Sequence, residues 1–196
     1  MHLHRTGTAY RCTVLVQLSG LPGSGKSTLA YEIANAADFV VVNTDVLKSS
    51  LIGSGVDVSD AGAATYAAAL GLSSDLVAQG ESVILDSPCR YRDLLEGGLS
   101  IASDAGVRYA FIELWVPNVS VLLPRLDART SRISQVASAT DPAPGTTWEF
   151  GTAEATLGEW QEQLLHPREG WLRLDATHTK AANLQRALEY LGQQHH

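Results

Sequence analysis

Residues 20–27 read Gly-Leu-Pro-Gly-Ser-Gly-Lys-Ser, an order of types suited to holding phosphate. Gly20, Gly23 and Gly25 let successive backbone N–H groups, Ser24 among them, turn inward with no Cβ in the way, which makes an anion nest at a helix start. Lys26 supplies a mobile positive charge for β- and γ-phosphates, and the Ser27 hydroxyl is placed to ligate Mg²⁺. Thr28, one position on, can reach an α-phosphate oxygen. The segment is a phosphate cradle.

Two carboxylates follow it. Val83 to Asp86 (VILD) ends an apolar run in an acid, where a carboxylate beside the cradle would hold the Mg²⁺ shell. The same residue could simply open the turn before Pro88. Asp45, in the run Asn43-Thr44-Asp45, can cap a helix or sit in its first turn. It can also accept the proton of an acceptor hydroxyl, and the two roles are compatible.

Arg125 and Arg129 stand four apart, which puts both guanidiniums on one face of a helix, and Arg132 follows. Delivered by a closing lid, such charges neutralise a transferring phosphoryl group; otherwise they form a solvated face with Asp127. Arg90 and Arg92 come directly after the Asp86 strand, where an acceptor would bind. They either orient an anionic group or face solvent. Cys89 is a candidate thiol beside the site. His166 and His178 are isolated, the other histidines lie near the ends, and no metal-ligand spacing emerges. Trp115, Trp148, Trp160 and Trp171 read as packing residues rather than a platform for bases.

The elements that must position these groups alternate. Residues 12–20, 38–43, 82–86, 107–116 and 171–177 read as strands. Residues 20–37 read as a glycine-rich turn running into a helix, and helical patterns occupy 60–79, 91–105, 117–129, 152–165 and 180–191, with Thr44-Asp45 capping the helix that begins there. Strands separated by helices imply βαβ units in a parallel sheet covered on both faces. Residues 1–11 read as a flexible arm and 12–191 as one domain. Its lid covers about 125–150, where Thr130–Thr147 is rich in Ser, Thr, Pro and Gly.

Composition sets the outer limits. The chain has 196 residues, 45% hydrophobic and 18% charged, enough for a sizeable core. A net charge of −7 argues against a broad basic face for nucleic acid. The longest apolar runs, Thr13–Leu18 and Val107–Val116, are too short to span a bilayer, and no secretory signal opens the chain. Two cysteines cannot make a disulfide scaffold, so a reducing cytoplasm is expected.

With these residues in view, the chain resembles the small P-loop kinases of the nucleoside-monophosphate-kinase-like group. The nearest branch holds zeta toxins, polynucleotide kinases, gluconate kinases and chloramphenicol phosphotransferases. The resemblance runs over residues 12–191 and rests on GLPGSGKST (20–28), NTDVLK (43–48), VILDSPCRYR (83–92), RLDAR (125–129) and WLRLDAT (171–177). It implies an α/β P-loop NTPase fold in three layers, with a five-stranded parallel sheet of order 2-3-1-4-5. It further implies Asp45 near the acceptor hydroxyl, Arg125 against adenine, Arg129 and Arg132 on phosphates, and backbone near Ala176 and Thr177 beside the base. Where this branch often has Arg three residues after that Asp, the chain has Lys48. The resulting expectation is ATP- and Mg²⁺-dependent phosphoryl transfer to a hydroxyl of a small molecule such as a sugar, a nucleoside or an antibiotic. A zeta-toxin-like or polynucleotide 5′-kinase is one alternative. A nucleotide-dependent switch is another.

Overall fold

The computed structural model describes residues 12–142 and 148–192; the arm expected at 1–11 and part of the expected lid lie outside them. Strand β1 (Val14–Gly20) is buried at every position and leads through the glycine-rich turn into α1 (Lys26–Ala37). Then come β2 (Val40–Asn43), α2 (Thr44–Gly53), α3 (Val58–Ala78), β3 (Val83–Asp86), α4 (Arg92–Ala105) and β4 (Arg108–Trp115). After a 3₁₀ turn (Val119–Leu122) follow α5 (Leu123–Asp127), α6 (Ala153–Glu162), β5 (Leu172–Asp175) and α7 (Lys180–Gly192). The five strands pair in parallel in the order β2-β3-β1-β4-β5, as the resemblance implied.

Alternation along the strands builds two cores. Val14, Val16, Leu18, Ile84 and Ile112 pack with α1 and α7 on one face, while Leu15, Val83 and Leu85 pack with α3 and α4 on the other. One central polar side chain is fully satisfied. Gln17 accepts from the Tyr109 hydroxyl at 2.7 Å and donates to the Leu94 carbonyl at 3.3 Å.

Three local expectations need correction. The helix expected over 117–129 is a 3₁₀ turn followed by the five-residue α5. Pro124 sits in the first turn of α5 and brings no N–H to a continuous ladder. Arg129 therefore lies past the helix end, and the four-residue spacing to Arg125 is not what places it. The helix after β2 is capped by Asn43, whose side chain accepts from the N–H groups of Asp45 and Val46, and not by Thr44 or Asp45. Finally, α3 begins at Val58. Residues 130–142 form neither helix nor strand.

Candidate active site

The chemistry-bearing residues converge above the carboxyl ends of the strands, where an open parallel sheet places its ligands. Gly20 turns the chain out of β1 at φ +141°, and a Cβ there would stand 2.4 Å from the Leu114 carbonyl oxygen, so no other residue fits. Gly23 and Gly25 also take positive φ. Ser24 is buried with its hydroxyl unpartnered. The Lys26 ammonium donates to the Leu21 carbonyl at 3.3 Å, folded back over its own loop.

Asn43, which sequence reasoning passed over, organises the acids. It lies opposite Asp86 in the β2–β3 register. Its amide nitrogen donates to Asp86 Oδ2 at 2.8 Å and to Ser27 Oγ at 3.3 Å, while its Oδ1 caps α2. The signal available was positional: an amide ending the strand beside the one that ends in Asp86. Asp86 is 2% exposed, and its Oδ1 is buried without a partner. Burial pushes its carboxyl upward, Lys26 and a hydrogen bond from Ser27 pull it down, and Asp45 adds to the rise. An orphaned carboxylate oxygen beside a serine hydroxyl suits a hard, oxygen-seeking cation, so Ser27 and Asp86 fit Mg²⁺.

A cavity of about 560 Å³ opens over this floor, lined by residues that include Lys26, Ser27, Thr28, Asp45, Arg90, Arg125 and Arg129. A second, of about 350 Å³, shares Gly23, Gly25, Thr28 and Arg125 with it and is lined also by Ala176 and Asn183. Arg125 donates to the Ala176 carbonyl at 3.0 Å at the junction. Thr177 lines neither cavity and bonds Asp175 instead, so Ala176 supplies the backbone at this edge.

The irregular segment after α5 is docked onto Asp45. Gln135 Nε2 donates to Asp45 Oδ2 at 2.5 Å, and the Ser134 hydroxyl to the Asp45 carbonyl at 3.1 Å. Arg129 is half-buried and donates to the Val136 carbonyl at 2.6 Å. Burial draws its guanidinium below the usual value, and Asp45 opposes that shift. Arg132 is exposed and lines neither cavity. Gln135 was not foreseen, because a glutamine in an irregular stretch carries no spacing signal.

A protein-family model described as an AAA domain matches residues 15–143. The chain belongs to this AAA-domain family. No curated protein matches it. Solved structures share the fold of this AAA-domain chain at low identity. A gluconokinase from Sinorhizobium meliloti is 21% identical with TM-score 0.61, over 92% of this chain and 93% of that one. The Mycobacterium tuberculosis APS kinase CysC, in complex with AMPPNP and APS, is 18% identical with TM-score 0.66, over 93% and 99%. Shikimate kinase from Aquifex aeolicus is 12% identical with TM-score 0.56, over 90% and 95%. The fold is that of the small P-loop kinases.

The remaining side chains of the AAA-domain site divide sharply. Arg90 lines the large cavity, whereas Arg92 is 78% exposed and pairs with Glu96 in solvent. Trp160 packs against the core and against Trp148, as expected, and also lines the cavity. Cys89 is buried and burial pushes its thiol up to about 12, so it is no reactive nucleophile. Far from being isolated, His166 stacks on Trp171 with ring centroids 4.3 Å apart and lies 3.1 Å from Glu113. No helix among the described residues is long and apolar enough to cross a membrane.

Proposed function

We propose that this chain transfers the γ-phosphoryl group of ATP to a hydroxyl of a small molecule. The observation that carries the reading is a single cavity lined both by a phosphate cradle with its lysine and by the Asp45 carboxylate. Neighbours named gluconokinase, APS kinase and shikimate kinase support it.

The cradle amides and Lys26 hold the β- and γ-phosphates, and the base lies in the smaller cavity between Arg125 and Ala176. Asp45 receives the proton of the acceptor hydroxyl as its oxygen bonds to the γ-phosphorus and the bond to the β–γ bridging oxygen breaks, releasing ADP. Gln135 occupies Asp45 Oδ2, which leaves Oδ1 to take that proton. Arg129 arrives with the docked segment and meets charge developing on the phosphoryl oxygens. Mg²⁺, held by Ser27 and Asp86, supplies further neutralisation of phosphate charge when bound. Closure over the cavity keeps water from competing as acceptor.

An ATP-consumption screen against hydroxylated sugars, nucleosides and antibiotics tests the reading, with phosphorylated product identified by mass. Acceptor-dependent turnover that disappears in Lys26→Ala is the expected result, together with loss of triphosphate affinity by calorimetry and an unchanged fold. Tight ATP binding with no acceptor-dependent turnover would point to a nucleotide-dependent switch instead.

A further inference from the structure

One amide ties the segment after α5 to the Asp45 carboxylate. Among the described residues only Gln135 bonds that carboxylate, its Nε2 donating to Oδ2 at 2.5 Å. The direction of the bond is settled within the segment. Gln135 Oε1 accepts from the Arg132 N–H at 3.0 Å, while the Gln135 N–H donates to the Arg132 carbonyl at 2.9 Å. A backbone N–H can only donate, so it fixes which end of the amide is oxygen and turns the NH₂ toward Asp45.

With neither helix nor strand over residues 130–142, the place of this segment depends on links of this kind. Ile133 points outward, whereas Ser134 and Val136 are buried, Val136 within the core. The Ser134 hydroxyl spends its single hydrogen on the Asp45 carbonyl, so the 2.7 Å contact between Ser134 and Ser49 is donated by Ser49. Both links end on α2. The Val136 carbonyl in turn accepts from Arg129 at 2.6 Å. The stretch that seats Arg129 is thus fastened at Asp45, through backbone and side chain, and the bond to the carboxylate is the charge-assisted one.

We propose that Gln135 is a positioning residue: it holds Asp45 with Oδ1 turned to the reacting hydroxyl, and it makes the seating of Arg129 depend on the Asp45 carboxylate. This rests on the kinase reading and deepens it. A carboxylate held by one oxygen presents the other in a fixed direction, which lowers the cost of aligning it with a hydroxyl. Because acid and arginine hang on the same bond, each is in place only when the other is.

Hydrogen exchange read by mass spectrometry on peptides spanning 130–142, with no substrate present, tests the link. Gln135→Glu keeps an acceptor for the Arg132 N–H but sets a like charge against Asp45, so exchange there should quicken about 10- to 100-fold. Adding Asp45→Asn reverses the polarity of the pair, since the introduced amide can donate to the introduced carboxylate, and exchange should return toward the wild-type rate. Loose packing alone would show no such rescue. Unchanged exchange in Gln135→Glu, or no recovery in the double variant, overturns the proposal; slow exchange in β1 verifies that each variant is folded. Turnover gives the second reading. Gln135→Met, similar in length but with no donor, should lower kcat about 10- to 100-fold while KM for ATP moves far less, because the cradle is untouched. Full kcat in Gln135→Met refutes the positioning role. A screen with no acceptor at all counts against the kinase reading alone, and the exchange comparison still decides the link.

Discussion

At position 45 two tasks open to one carboxylate are separated. Asn43 caps α2, and Asp45 sits in the first turn with its side chain facing the cavity. Capping therefore survives any change at Asp45. Asp45→Asn and Asp45→Ala should each keep stability within about 1 kcal/mol of wild type, because the cap is elsewhere. Both should lower phosphoryl transfer by about 10²-fold or more, through loss of the proton acceptor. Calorimetric melting and acceptor turnover on the pair check this. An Asp45→Asn protein with near wild-type turnover would move the proton acceptor to another residue. The thiol of Cys89 is out of contention, since it is buried and held protonated.

At the scale of elements, the junction of β2 and α2 depends on one amide. Removing it in Asn43→Ala takes away the helix cap and leaves Asp86 Oδ2 without its donor, at a cost of about 1–2 kcal/mol. Asn43→Asp keeps a capping oxygen but sets a second carboxylate against Asp86, which raises the carboxyl values of the pair still further. A group raised on folding contributes stability that is present at low pH and lost as pH rises through its folded value. Asn43→Asp should therefore approach wild-type melting temperature near pH 5 and fall below it near pH 8. Melting curves at both values test the sign. The same junction shows where a sequence is readable. The cradle and its lysine are written contiguously, and Asp86 ends an apolar run, so their roles show without the fold. The role of Asn43 depends on the register between β2 and β3, which sets it against Asp86, 43 residues further on, and which no local pattern reveals. Arg90 and Arg92 look equivalent until α6 brings Trp160 over one of them. The break at Pro124 was legible in principle, since proline donates no hydrogen bond, but the apolar period ran through it.

Across the whole molecule, the far side of the sheet is joined by charge. Glu113 on β4 is 1% exposed, and Arg173 on β5 donates to it at 2.8 Å while packing over Trp115 and Trp171. Burial alone would raise the Glu113 carboxyl, but hydrogen bonds from His166 and Arg173 outweigh it and leave the value lowered. A carboxyl lowered on folding contributes stability present above its unfolded value and lost as pH falls through the folded one. Glu113→Gln should thus cost about 1–3 kcal/mol at pH 7, and the difference should shrink once pH falls below the ordinary value of 4.5. Chemical denaturation at pH 7 and pH 3.5 measures it; a constant difference would show that the charge of Glu113 does not matter.

The strand order has a consequence for crowded solutions. The longest strands, β1 with seven residues and β4 with eight, lie inside the sheet, while the edges β2 and β5 are four residues each. Short margins offer another chain little unpaired backbone to copy, and Arg173 places a cation on one of them. Runaway strand-to-strand assembly between molecules is thus discouraged by the same topology that gathers the reacting groups at one end.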